Sequence, residues 1–151
     1  MLWSGKEGFR TSDPTVHIHK PRGAHRYTTQ ARAEKVAQVA GTGKDENSLK
    51  KDGIEYDTYF ADLAGNDRSI LEGSEGFVKM LVEKDGATIL GCTIVAEAAG
   101  EMISEVTLAI QAGVDMATIA RTIHAYPTVA EGIASTAFQY KTKHWQTFPK
   151  E

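Results

Sequence analysis

The stretch FVKMLVEKDGATILGCTIVAE, residues 77–97, constrains the fold of this chain more than any other. Two apolar runs flank Lys84-Asp85-Gly86, and an Asp-Gly pair between such runs is a strong hairpin signal, with the glycine expected to take the positive φ of a tight turn. Val78, Met80 and Val82 then face one side. Immediately afterwards the period lengthens. In AAGEMISEVTLAIQAG, Ile103, Val106 and Ile110 mark one helical face, with Gly113 as the C-terminal stop. Asp115 caps a second short helix carrying Met116, Ile119 and Ile123, which must end before Pro127. A third helix follows Thr128, with Val129, Ile133, Ala137 and Tyr140 on one side. Strands followed by segregated helices imply an α+β fold, an antiparallel sheet with helices packed on one face.

Upstream the signals are weaker. Ala33–Ala40 reads as a short strand or helix, followed by the loop GTGKDENS. Ile54, Tyr56 and Phe60 alternate with Glu55, Asp57 and Tyr59, as on a half-exposed strand. AGNDRSILEGSEG reads as a polar connection. Residues 1–32 read as an irregular basic leader with no sustained period. Residues 1–35 hold seven of the seventeen Lys and Arg but three of the twenty acids. Residues 33–145 then form the folded domain and 146–151 a tail.

Composition excludes several functions. A net charge of −3 gives no general attraction to nucleic acid or anionic membrane. No run reaches the roughly 20 apolar residues of a membrane span. The single cysteine, Cys92, cannot form a dithiol pair, and its apolar surroundings suit inert packing in a strand. His17 and His19 share a strand face near His25, but nothing completes a metal set, and a solvated leader explains them as well. GTGKDE lacks the spacing of a phosphate loop. The acids of EKDG and KDENS read as solvated loop charge.

The segment HAYPTVAEG, residues 124–132, admits two readings. Structurally, Thr128 and Glu131 make a capping box, in which Thr holds a helix amide and Glu reaches back to the cap amide. That leaves His124 and Tyr126 unexplained.

From Gly53 onward the chain resembles the C-terminal dimerisation domain of the FAD-dependent pyridine nucleotide-disulfide oxidoreductases, a family that includes lipoamide dehydrogenase, glutathione reductase and mercuric reductase. The resemblance is carried by GFVK, the hairpin, ILG, a helix opening at AGE and a final H-x-[HY]-P-T-x-x-E, spread over about a hundred residues. A fainter match, EKVAQVAGTGKDENS, lies upstream. The resemblance implies a homodimer, or docking to the remaining domains of a parent enzyme. It also implies that the residue before Pro-Thr crosses the interface to the partner's redox dithiol as acid and base, oriented by the Glu five positions on. Its backbone approaches the partner's flavin. These positions are Tyr126 and Glu131 here, with Tyr126, Pro127 and Thr128 at the flavin edge and His124 as a displaced alternative base.

Tyrosine departs from the lipoamide and glutathione pattern and is similar to the mercuric branch. A phenol, pKa near ~10, is a poor general base at neutral pH, where imidazole near ~6.5 serves well. Tyr126 would donate a hydrogen bond to a thiolate or help position a metal. The family's G-x-G-x-x-G FAD fingerprint, its cysteine pair and its nicotinamide-binding half, roughly 300 residues at ordinary domain sizes, have no counterpart in these residues. FAD and NAD(P)H therefore belong to the full-length enzyme. Neither is expected to bind tightly to this chain alone, which should not turn over NAD(P)H. The alternative is a stand-alone, non-catalytic dimerisation or binding module. The compartment stays open between cytoplasm and an organelle.

Overall fold

The structure is a computed structural model that describes the backbone of residues 17–19 and all of residues 38–148. Five antiparallel strands form one sheet: β1 (His17–His19), β2 (Gln38–Gly43), β3 (Tyr56–Asp62), β4 (Phe77–Glu83) and β5 (Ile89–Ala96). Their spatial order is β1-β2-β5-β4-β3, so the hairpin β4–β5 sits at the centre. Across it Val78 faces Ile94 and Met80 faces Cys92, with a register slip between Leu81 and Val82. Three residues expected in an irregular leader, His17–His19, thus pair with β2.

The hairpin turn differs in one detail from the sequence expectation. Asp85, at φ 54°, takes the left-handed conformation, and Gly86 is not among the positive-φ glycines. Aspartate tolerates that region better than most side chains. A Cβ at Gly86 would lie 2.7 Å from the Glu83 carboxylate, the end of an exposed side chain that can move aside.

Val78, Met80, Val82, Cys92, Ile94 and Ala96 turn to one face and form the core with the helices. There α3 (Ala99–Ala112) covers β2 and β5, while α5 (Glu131–Lys143) covers β3 and β4. Between them α4 (Met116–Arg121) packs on α5. Gly113 ends α3 at φ 67°, and Asp115 accepts the Thr118 amide at 2.7 Å to start α4, both as the sequence indicates. Helix α4 stops at Arg121, so Ile123 falls outside it and is 96% exposed instead of sharing the apolar face.

Strand β3 runs in the opposite phase to that expected. Tyr59 and Ala61 are buried, whereas Phe60 is exposed. Tyr59 is drawn inward because its ring meets Tyr140 edge-on and its hydroxyl lies 3.2 Å from His144 Nε2. Phe60 stacks on Phe77 across the outer face.

Two short polar helices replace expected loops. Helix α1 (Glu46–Lys51) rests on the outer face, where Glu46 meets Lys79 at 3.4 Å. Its cap is Asp45, whose carboxylate accepts the Ser48 amide at 2.7 Å, so this acid is structural and not simply solvated. Helix α2 (Asp67–Glu72) follows a short 3-10 turn, Leu63–Gly65, inside the expected polar connection. At the other end of the chain, Phe148 packs on the core.

Burial pushes the Cys92 thiol pKa well up, so the sole cysteine is unreactive. His25 and the side chains of His17 and His19 lie outside the described residues. Among the described residues no group of His, Cys, Asp or Glu is arranged to hold a metal ion. No described helix is long and apolar enough to cross a membrane.

Candidate functional site

Between α4 and α5 the chain makes an exposed turn, residues 122–130, which carries the sequence-identified residues. Its peptide bond between Tyr126 and Pro127 is cis. The turn is held from several directions by side chains. Glu131 accepts the Thr128 amide at 3.0 Å, as half of the expected capping box. The other half is absent: the Thr128 hydroxyl donates to the Ala125 carbonyl at 2.7 Å and accepts no helix amide. Helix α5 has no side-chain cap and starts instead from a tight turn, with Ile133 donating to the Ala130 carbonyl at 2.9 Å. The difference is local competition: the Thr128 hydroxyl is turned toward the Ala125 carbonyl and its oxygen is not placed to accept a helix amide.

His124 bends back toward the body. Its Nε2 lies 2.8 Å from the Glu105 carboxylate on α3, and its Nδ1 lies 3.1 Å from the Thr122 carbonyl. The side chain is only 8% exposed. The structure thus separates His124 from Tyr126, whose residue is 71% exposed.

Tyr126 donates its hydroxyl to the Asp67 carboxylate, at the first turn of α2. This bond, followed by the Asp67 charge, raises the phenol's pKa above its ordinary value. Glu131, the carboxylate assigned by resemblance to orient the residue before Pro-Thr, bonds the turn's backbone at the Thr128 amide. Asn66 adds a further tie. Its amide donates to the Thr128 carbonyl at 3.0 Å, while its side-chain oxygen caps α2 through the Arg68 and Ser69 amides. Asn66 and Asp67 were missed because their segment reads as a polar connection. The Asx-type cap within NDRS is the one signal that identifies a helix start there.

These residues frame a cleft of about 300 Å³, lined by Asp62, Asn66, Asp67, Tyr126, Glu131 and Ser135 among others. Its floor depends on Gly132, where a Cβ would lie 2.4 Å from Leu63 Cδ2. Among the described residues the lining carries three carboxylates and no basic side chain. It therefore presents carboxylate acceptors and one aromatic ring.

The model of the pyridine nucleotide-disulphide oxidoreductase dimerisation domain matches residues 36–137. The chain belongs to this family. Dihydrolipoamide dehydrogenase of Chaetomium thermophilum is 41% identical over 107 residues, covering 70% of this chain and 21% of the relative. Dihydrolipoyl dehydrogenase of Haemophilus influenzae is 40% identical over 105 residues, covering 68% and 22% respectively. The chain thus spans about a fifth of the length of these relatives. The fold is that of flavoprotein disulfide reductases. An NAD-dependent persulfide reductase from A. fulgidus superposes with a TM-score of 0.68 at 21% identity, over 94% of this chain and 25% of that one.

Within the dimerisation domain, apolar side chains remain uncovered beside the turn. Ile123 adjoins His124, and Leu108, 68% exposed, lies one helical turn beyond Glu105 on α3. The His124–Glu105 bond joins the two segments that carry them.

Proposed function

We infer that this chain forms the two-fold seam of a FAD-dependent, NAD(P)H-using oxidoreductase of disulfide or mercuric type. Its 122–130 turn is presented to the active site of the twin subunit. The observation that carries this reading is Tyr126: a large aromatic, 71% exposed, on a turn braced from behind by Glu131, Asn66 and the His124–Glu105 pair. Exposed apolar side chains beside it, Ile123 and Leu108, support a surface that is covered on assembly. An isologous contact is the usual way a homodimer covers such a patch.

Tyr126 is the contact residue and Glu131 holds the turn on which it stands. His124 lies too far inside the subunit to serve as an exposed base, so its contribution is to the turn's attachment. Tyrosine before Pro-Thr favours the mercuric-type branch over a lipoamide one. The turn suits an edge of a flavin pocket and no more. The Thr128 amide and hydroxyl hydrogens are both already donated, so Tyr126, Pro127 and Thr128 offer ring and backbone surface, not a phosphate cradle. FAD bound by the rest of the enzyme would supply the hydride-accepting step between nicotinamide and dithiol.

The test is a graft of residues 36–148 in place of the matching fifth of the Chaetomium dihydrolipoamide dehydrogenase. The graft should purify as a flavin-containing dimer with weak lipoamide turnover. Tyr126→His should raise that turnover, and Tyr126→Phe should alter its pH profile. A dimeric graft whose activity ignores both substitutions would sink the active-site role and leave the alternative, a non-catalytic dimerisation module.

A further inference from the structure

A phenol has one proton to give, and in this structure Tyr126 gives it to its own subunit. The acceptor is Asp67, a carboxylate that can only accept when ionised. With the proton committed, the oxygen's remaining lone pairs are what an incoming group meets. The ring is largely exposed, so that oxygen is accessible. The charged groups lining the cleft around it, Asp62, Asp67 and Glu131, come from three separate segments and are all acids. Among the described residues no lysine, arginine or histidine lines the cleft to turn an anion into a favourable guest.

We propose that Asp67 is a positioning residue for Tyr126: by accepting the phenolic hydrogen bond it leaves the turn a hydrogen-bond acceptor, selecting a donor from the facing subunit, a neutral thiol or a cationic group, over a thiolate or other anion. This rests on the reading that the turn faces the partner's active site, and it refines the chemistry of that contact. It reverses the polarity that a free tyrosine would offer, since an unheld phenol donates readily to an anion. Glu131 reinforces the effect from the second side, because its charge also disfavours the phenolate. Proton inventory is unchanged by docking: the donor's hydrogen is shared with the Tyr126 oxygen, and the Tyr126 hydrogen stays on the phenol, directed at Asp67.

The chain itself is sufficient for the test. Tyrosine labelled with carbon-13 at Cζ gives one resonance for each of the five tyrosines, and Tyr126→Phe identifies the relevant one. Asp67→Asn should lower the titration midpoint of Tyr126 towards that of free tyrosine while leaving Tyr59 and Tyr140 in place. In the native chain the Tyr126 resonance should move on adding methylammonium chloride and stay still with sodium acetate. Asp67→Asn should lose that discrimination. Asp67→Ser, which keeps a helix-compatible polar residue at the exposed start of α2, serves as a second variant if the first fails to fold. An unchanged Tyr126 midpoint in either folded variant, or an equal response to acetate, would overturn the proposal. Sedimentation of the same samples reads self-association separately. A Tyr126 that behaves as expected in a strictly monomeric chain therefore upholds the Asp67 assignment while removing the seam.

Discussion

The sheet-and-helix body and the 122–130 turn are held together by different physics. In the body, stability comes from burial. Met80, Ile94, Val106 and Ile133 are fully enclosed, and the β3–β4 pair runs as a regular ladder. In the turn, hardly any side chain is buried, and position comes from single bonds reaching in from α2, α3 and α5. Burial thus positions the body, while single hydrogen bonds position the turn. The difference teaches where function is placed: a mobile-by-default connection has been fixed by groups drawn from the rigid scaffold.

Substitutions should separate the two regimes, beginning with the body. Ile94→Ala removes a fully buried side chain at the sheet centre and should cost about 2–5 kcal/mol, read as a lowered midpoint in urea unfolding. A loss below about 1 kcal/mol would contradict the single packed core described above.

The next effect is electrostatic and belongs to the body's edge. Asp57 accepts a hydrogen bond from Lys84 at 2.9 Å and forms an ion pair with Lys143 at 2.8 Å, tying β3 to the hairpin turn and to α5. The Lys143 and Lys84 ammonium groups hold its carboxyl down at about 2, against an ordinary 3.8. A depressed carboxyl stabilises the fold above its unfolded pKa. That contribution, of order 1–2 kcal/mol, should vanish as pH falls from about 4 through about 2. Urea midpoints across that window should drop for the native chain and flatten for Asp57→Asn.

Smaller still is the turn's own brace. Glu131→Ala strips the acceptor from the Thr128 amide and should cost about 1 kcal/mol in unfolding, with faster amide exchange confined to the turn. Exchange that spreads through α5 would mean the turn and the body are one unit. Smallest is Tyr126→Phe, an exposed change that should leave stability within about 0.5 kcal/mol. A larger loss would make the Asp67 bond a structural element of the fold.

The same division explains what the sequence disclosed. Apolar periodicity reports burial, so the β4–β5 hairpin, the Gly113 stop, the Asp115 cap and the α5 face were all readable. It fails where burial is set by a partner remote in sequence. Tyr59 and Phe60 are both aromatic, and Tyr140 on α5 and His144 at its C-terminal cap decide which of them turns inward. Helices α1 and α2 have too few buried positions to show a period, with Leu49 alone filling that role in α1. At the site, resemblance singled out the turn and its residues, whereas local pattern offered a capping box that is half formed. Asp67 was invisible to both, because its role depends on a contact 59 residues away.

Sedimentation equilibrium of the chain across the micromolar range tests the seam most directly. A monomer–dimer equilibrium weakened by Leu108→Asp and by Ile123→Asp is the expected result. A chain that stays monomeric at several hundred micromolar, or a dimer indifferent to both substitutions, would contradict it.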